Sequence, residues 1–349
     1  MNESRKRLPR SATALNLALQ GGGTHGAFTW GVLDRLLEDE HIHIGRITGS
    51  SAGALNGAAL ATGLARGGRT GAREHLALLW GQVAQAGSLM TLFSLPLRKP
   101  GLGVWDDAMP LLSPWQTNPL GMAPLRHILH TLVDEAVLRD ADAATPLFVN
   151  ALNVRTGAPR VFGPADITIE ALLASACAPL SYQAVQVDGE AYWDGSYSAN
   201  PCLWPLYEGQ LDTDILLVEL TPLHRAEVPL SAKNILNRIN EVASVNGLVA
   251  ELRAVDAINR HAAGADIRMH VLSLPDQAAG VLATEASVKR TVGRVVFEML
   301  RQEGRRACEE WLGAHSRHLG HRASVDVAAR YLAPFAPFAQ GVPAPALQG

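Results

Sequence analysis

Two strand-to-helix junctions built from glycine constrain this chain more than any other feature, and both fall near its start. In the first, the apolar run 14–19 (ALNLAL) ends at Gln20-Gly21-Gly22-Gly23-Thr24-His25-Gly26. A helical pattern follows over 27–38, with Phe28, Val32, Leu33, Leu36 and Leu37 on one face. In the second, the alternating, Ile-rich segment 41–48 (HIHIGRIT) ends at Gly49-Ser50-Ser51-Ala52-Gly53, and an Ala-rich helix is predicted over 52–65. Strands alternating with helices in this way imply an α/β fold, with helices on both faces of a sheet.

The rest of the chain keeps that alternation. Helices are predicted over 72–85, 124–135 and 168–176, and strands over 146–154 (PLFVNALNV), 214–220 (DILLVEL) and 269–274 (MHVLSL). Residues 184–193 (AVQVDGEAYW) read as a hairpin turning at Asp188-Gly189. Ile235, Ile239, Val242, Val249 and Leu252 recur at helical spacing within 231–262, and a further helix is predicted over 286–313. Residues 87–121 break the pattern: they are rich in Pro and Gly yet apolar, with Trp105 and Trp115 among them, and read as a lid-like insertion. No linker divides the chain. The expectation is a flexible basic arm over 1–13, one domain over 14–332 and a disordered Pro/Ala-rich tail over 333–349.

Composition excludes several functions. A net charge of −3 gives no electrostatic case for nucleic acid. The cysteines Cys177, Cys202 and Cys308 are widely spaced and form neither a CxxC pair nor a Cys/His metal pattern. We therefore expect no metal, no cofactor, no disulfide framework and a reducing, cytoplasmic setting. No apolar run reaches the roughly 18–20 residues of a membrane span, so contact with a membrane or lipid surface would be peripheral.

Gly49-Ser50-Ser51-Ala52-Gly53 fits G-x-S-x-G, placed after a strand and before a helix as a nucleophile elbow requires. The sharp turn would project the Ser51 hydroxyl, side chains at Gly49 or Gly53 would collide with neighbouring backbone, and the Ala52 amide could help hold an oxyanion. A plain helix N-cap accounts for the same residues. The loop Gly21–Gly26 can gather amides around an oxyanion or a phosphate. It also fits G-x-G-x-x-G, although the second strand ends in the serine turn and not in the acidic residue a dinucleotide site wants. Packing alone is a third account of these glycines. Asp194, in Tyr192-Trp193-Asp194-Gly195-Ser196 after a strand, can serve as a base or as a turn residue; Asp188 is explained by the hairpin.

Taken in order, GGGTHG, GSSAG and DGS resemble the patatin-like phospholipase family, with its glycine-rich oxyanion loop, its G-x-S-x-G elbow and its Asp-Gly-Gly or Asp-Gly-Ala motif. Ala174-Ser175-Ala176-Cys177-Ala178-Pro179-Leu180 and Asn200-Pro201 extend the likeness, which covers roughly residues 14–220. The resemblance implies a three-layer α/β/α sandwich with a mostly parallel central sheet. It also implies a Ser51–Asp194 dyad, an oxyanion hole from the amides of Gly21, Gly22, Gly23 and Thr24 with Ala52, and calcium-independent hydrolysis of lipid acyl esters. The chain departs from the family in two places: His25 stands where Arg or Lys is usual, and Ser196 where Gly or Ala is usual. The first weakens a phospholipid head-group preference more than it weakens ester hydrolysis.

Competing functions leave distinct traces. A Ser–His–Asp hydrolase would need one of the late histidines His315, His318 or His321 at the serine. A storage polyester such as polyhydroxybutyrate, or a short-chain ester, could replace the lipid. A non-catalytic or activator-dependent binding protein would hold lipid or a partner without turnover. The helix over 231–262 could serve a partner or a homo-oligomer, or simply pack on the core.

Overall fold

The structure is a computed structural model describing residues 13–94, 113–140, 145–225, 228–275 and 293–333. The basic arm up to residue 12, the tail from residue 334 and residues 95–112 of the expected insertion lie outside the described residues.

The first two junctions form as the sequence predicts. Strand β1 (Thr13–Leu19) leads through a 3-10 turn (Gly23–His25) into α1 (Gly26–Leu36). Strand β2 (Ile42–Gly49) leads into α2 (Ala52–Ser94), which is kinked at Gly67 and Gly68. The kink folds α2 into two arms. They can lie close because Gly63 and Gly71 face each other, where an added Cβ would come within 2.5–2.7 Å of the opposing backbone. The second arm returns to the glycine loop, and its Trp80 donates Nε1–H to Asn56 at 3.0 Å. Residues 87–94, the start of the insertion expected over 87–121, instead extend this helix, and residues 114–117 form the short α3 (Pro114–Thr117).

There follow α4 (Ala123–Leu132), α5 (Glu135–Arg139), β3 (Leu147–Asn153), β4 (Pro159–Phe162) and α6 (Ile169–Ser175). The hairpin of β5 (Val185–Val187) and β6 (Glu190–Asp194) turns on Asp188 and Gly189, both at positive φ. Then come α7 (Trp204–Tyr207), β7 (Asp212–Glu219), α8 (Ala232–His261), β8 (Asp266–Ser273) and α9 (Arg294–His315).

The eight strands form one mixed sheet in the order β5-β6-β3-β2-β1-β7-β8, with β4 paired to β3. Strands β3, β2, β1, β7 and β8 are parallel; the β5–β6 and β6–β3 pairs are antiparallel. Alternate residues feed two cores, as the period of a strand dictates. Leu15, Leu17, Leu19, Leu216 and Val218 join Phe28, Leu60 and Leu300 in one. Ala18, Ile215, Leu217 and Met269 join Leu206, Leu248 and Leu252 in the other. Strand order reverses at β1, which has β2 on one side and β7 on the other. Such a reversal leaves a crevice at the carboxyl ends of the strands. No helix among the described residues is long and apolar enough to cross a membrane.

Candidate active site

The crevice is built by three chain segments that the register of the sheet brings together. Gly49, ending β2, pairs with Leu19 of β1 and with Val149 of β3. Asp194, ending β6, pairs with Ala151, two residues further along β3. The glycine loop after β1, the serine turn after β2 and the aspartate after β6 therefore meet at one edge of the sheet.

Ser51 adopts φ 52°, a left-handed conformation that is strained for a serine and that turns its side chain out of the strand-to-helix path. The glycines around it are required by space. A Cβ on Gly53 would lie 2.0 Å from the Leu19 carbonyl oxygen, and one on Gly49 would lie 2.6 Å from the Gly53 carbonyl. Gly21 passes so close that its Cβ would sit 2.8 Å from Ser51 Cβ, and one on Gly26 would sit 2.7 Å from Ala52 Cβ. Ser51 donates its strained amide to Ser175 Oγ at 3.0 Å.

Asp194 is buried and takes a hydrogen bond from the Ser51 side chain, as well as from the Ser196 amide at 2.9 Å. Burial pushes its carboxyl from the ordinary 3.8 up to about 6, against the opposing pull of the Ser196 amide, the Ser51 hydroxyl and the Ser196 side chain. Its own amide is donated to the Cys177 carbonyl at 2.9 Å. The segment after α6 thus holds the nucleophile candidate through Ser175 and the base candidate through Cys177.

A second layer of amides and hydroxyls fixes the loops. Asn150 Nδ2 donates to the Gly195 and Ala199 carbonyls at 2.9 and 2.8 Å, and Ser50 Oγ lies 2.6 Å from Asn150 Oδ1. Gly195 must be glycine here, since a Cβ would lie 2.0 Å from the Asn150 carbonyl oxygen. Asn200 accepts the Gly21 amide at 2.7 Å, donates to the Gly21 carbonyl at 3.2 Å and meets Ser244 Oγ at 2.5 Å. Gln20 Oε1 accepts the amides of Leu220 and Thr221 at 2.7 and 3.0 Å.

Of the amides expected to line an oxyanion hole, that of Gly21 is taken by Asn200 Oδ1. The amides of Gly22 and Gly23 donate to no acceptor among the described residues. Ala52 opens α2, so no carbonyl of its own helix is placed to take its N–H. Thr24 and His25 are buried within the 3-10 turn.

The late histidines gather elsewhere. His318 lies against His315, His315 against Trp311, and Trp311 against His270, which reaches Asp214 at 2.9 Å. Asp214 pairs with Leu15, four residues below Leu19 and roughly 13 Å down the strand from the serine turn. Among the described residues no cluster of three or more His, Cys, Asp or Glu side chains could hold a metal ion. Cys177, Cys202 and Cys308 are unpaired and buried.

A mixed sheet whose strand order reverses beside a serine elbow, with a buried carboxylate ending an antiparallel strand of the same sheet, defines a class of α/β proteins that a family profile makes specific. The patatin-like phospholipase profile matches residues 17–207, more than half of the chain, and the chain belongs to that family. No curated protein matches it in sequence. Among solved structures it is similar to VipD from Legionella pneumophila, at 12% identity and a TM-score of 0.40 over 92% of this chain and 73% of that one. It is also similar to a chain of the heterodimeric ExoU–SpcU complex from the type III secretion system of Pseudomonas aeruginosa. That match has 15% identity and a TM-score of 0.35 over 87% of this chain and 52% of that one.

Proposed function

We propose that this protein is a serine acyl hydrolase that cleaves acyl esters of lipids with a Ser51–Asp194 dyad. The observation that carries the reading is the pairing of a strained serine elbow with a buried aspartate that hydrogen-bonds it and, among the described residues, has no cationic partner. With its acidity near 6, Asp194 is ionised at neutral pH and basic enough to accept a proton, the condition for a general base.

In this mechanism Ser51 Oγ attacks the ester carbonyl as its proton passes to Asp194. The carbonyl oxygen gains charge toward the amides of Gly22, Gly23 and Ala52, where two chain turns and a helix N-terminus present N–H groups. Collapse of the tetrahedral species breaks the ester C–O bond, and the proton on Asp194 goes to the departing alkoxide. Water then attacks the acyl-Ser51 ester, with Asp194 again taking the proton; the second tetrahedral species breaks the acyl–Oγ bond, and Asp194 returns the proton to Ser51 as the free acid leaves. No step requires a metal. Membership of a phospholipase family supports a lipid ester as the substrate class.

The test is hydrolysis of a short p-nitrophenyl ester by wild type, Ser51→Ala and Asp194→Asn, with chelator present and folding checked by circular dichroism. The expected result is an active wild type and losses of roughly 10³-fold or more in both variants. Activity surviving in Ser51→Ala would remove the nucleophile assignment, and an inert wild type would favour a binding protein.

A further inference from the structure

We infer that the first turns of α8 form an apolar ridge that seats the enzyme on a lipid surface beside the mouth of the crevice; this rests on the lipid-ester reading above. Five of the twelve large hydrophobic side chains exposed among the described residues fall between 228 and 242: Val228, Leu230, Ile235, Ile239 and Val242. Leu230 is 90% exposed and Ile239 58%. Ile235, Ile239 and Val242 stand at i, i+4 and i+7, which places them within an arc of about 60° on the helix. Further along α8, Val245, Leu248, Leu252 and Val255 turn to the buried side. The exposed stripe is therefore not the packing face of the helix drifting into solvent.

Position links this ridge to the site. Strand β7 ends at Glu219 on the crevice side of the sheet, and α8 runs back to the start of β8, where Asn259 pairs with Ile267. Ser244 of α8 is at the level of the glycine loop, since it meets Asn200, which holds Gly21. The twelve residues of α8 before Ser244 therefore extend about 18 Å past that loop, on the side where the substrate must enter.

Charge selects the occupant. Residues 228–244 carry Lys233, Arg238 and Glu241, and Glu241 is buried between Arg238 and Arg225 at 3.3 and 2.7 Å. The remaining polar residues of this stretch are neutral: Ser231, Asn234, Asn237, Asn240 and Ser244. A ridge that is apolar, narrow and nearly neutral offers little to an acidic or basic protein and suits insertion into an electrically neutral bilayer interface. An esterase whose substrate lies in that interface gains from holding its mouth there.

The experiment is co-sedimentation of the full chain with phosphatidylcholine vesicles, comparing wild type with Ile239→Asp, alongside hydrolysis of vesicle-borne ester and of a monomeric p-nitrophenyl ester. The expected result is binding by wild type that salt barely changes, lost by about tenfold or more in Ile239→Asp. Vesicle hydrolysis should fall with it, while monomeric ester hydrolysis stays unchanged. An Ile239→Trp variant should show a blue-shifted emission on adding vesicles. Wild type that does not bind, equal binding by Ile239→Asp, or equal loss on both substrates would overturn the ridge. So would a wild-type dimer that Ile239→Asp dissociates. Ser51→Ala should bind vesicles as wild type does, so failure of the dyad and failure of the ridge are separable.

Discussion

Asp194 and Asp214 lie on strands of one sheet, are buried to 4% and 3% exposure, and accept several hydrogen bonds each, yet their acidities move in opposite directions. Burial raises both. At Asp194 only the Ser196 amide and the hydroxyls of Ser51 and Ser196 oppose it, and the carboxyl stays near 6. At Asp214 the opposition comes from His270, from the Arg268 guanidinium at 3.0 Å and from the Gly320 amide, which together hold the carboxyl below its ordinary range. Asp34 follows the second pattern, with Arg73, Arg301 and Arg305 upon it. Burial of a carboxylate is thus not what distinguishes the candidate base. The lack of a cation is: among the described residues the structural aspartates meet arginines, and Asp194 meets only serine hydroxyls and amides.

The sharpest way to break that comparison is to neutralise each aspartate. Asp194→Asn should cost roughly 10³-fold in ester hydrolysis while leaving the protein folded. Asp214→Asn should keep hydrolysis per folded molecule within about twofold, because it lies at the far end of the strands. It should instead lose roughly 3 kcal/mol of stability in urea unfolding at pH 7.5, because Arg268 and the Gly320 amide lose a buried charged partner. If the two variants lost activity alike, the division between a catalytic and a structural aspartate would fail.

The pH dependence sharpens the same contrast. Asp194 binds its proton more tightly folded, near 6, than unfolded, near 3.8. Its contribution to stability is therefore greatest when protonated and declines as pH rises between those values. Above pH 6 the cost is complete, on the order of 2–3 kcal/mol, and Asp194→Asn should exceed wild type by about that much there. The advantage should vanish toward pH 4. Asp214, with its folded pKa lowered, contributes in the opposite sense: its stability is present above the unfolded value and is lost as pH falls through the folded one. In activity, kcat/KM of wild type should drop about tenfold per pH unit below 6, as the base becomes protonated. A rate flat from pH 7 to 5 would remove Asp194 from that role.

The two glycine junctions were legible because motif and place coincide: Gly21–Gly26 and Gly49–Gly53 each sit where a strand must turn into a helix. Long helices and buried strands were legible from period alone. Strand β4 was not, since Pro159-Arg160-Val161-Phe162 is short and carries a proline and a charge; it exists by pairing with β3. Residues 87–94 read as irregular because the Pro and Gly residues beyond them outweigh a helical pattern already under way. At the site, Asn150 left a signal, an amide flanked by Val149 and Ala151 in the apolar strand PLFVNALNV, which a buried strand carries only for a hydrogen-bonding reason. Ser175 and Asn200 lay in segments the family resemblance marked, without a role attached. That the Gly21 amide is spent could not be read locally, because its acceptor Asn200 is 179 residues away.

The smallest expected effect probes the hydroxyl that stands where the family carries Gly or Ala. Both the amide and the side chain of Ser196 hydrogen-bond Asp194 and lower its pKa. Ser196→Ala keeps the amide and removes the side-chain bond, so Asp194 should rise further above its ordinary range. The acid limb of the kcat/KM profile should then move to higher pH by about half a unit, a loss of up to threefold or so below pH 6 that disappears above pH 8. A merely structural role for Ser196 would lower the rate by the same factor at every pH and leave the limb in place. A limb that moved to lower pH would mean that the hydroxyl competes with Ser51 for Asp194, and that the cation-free site is tuned by which hydroxyl the carboxylate holds.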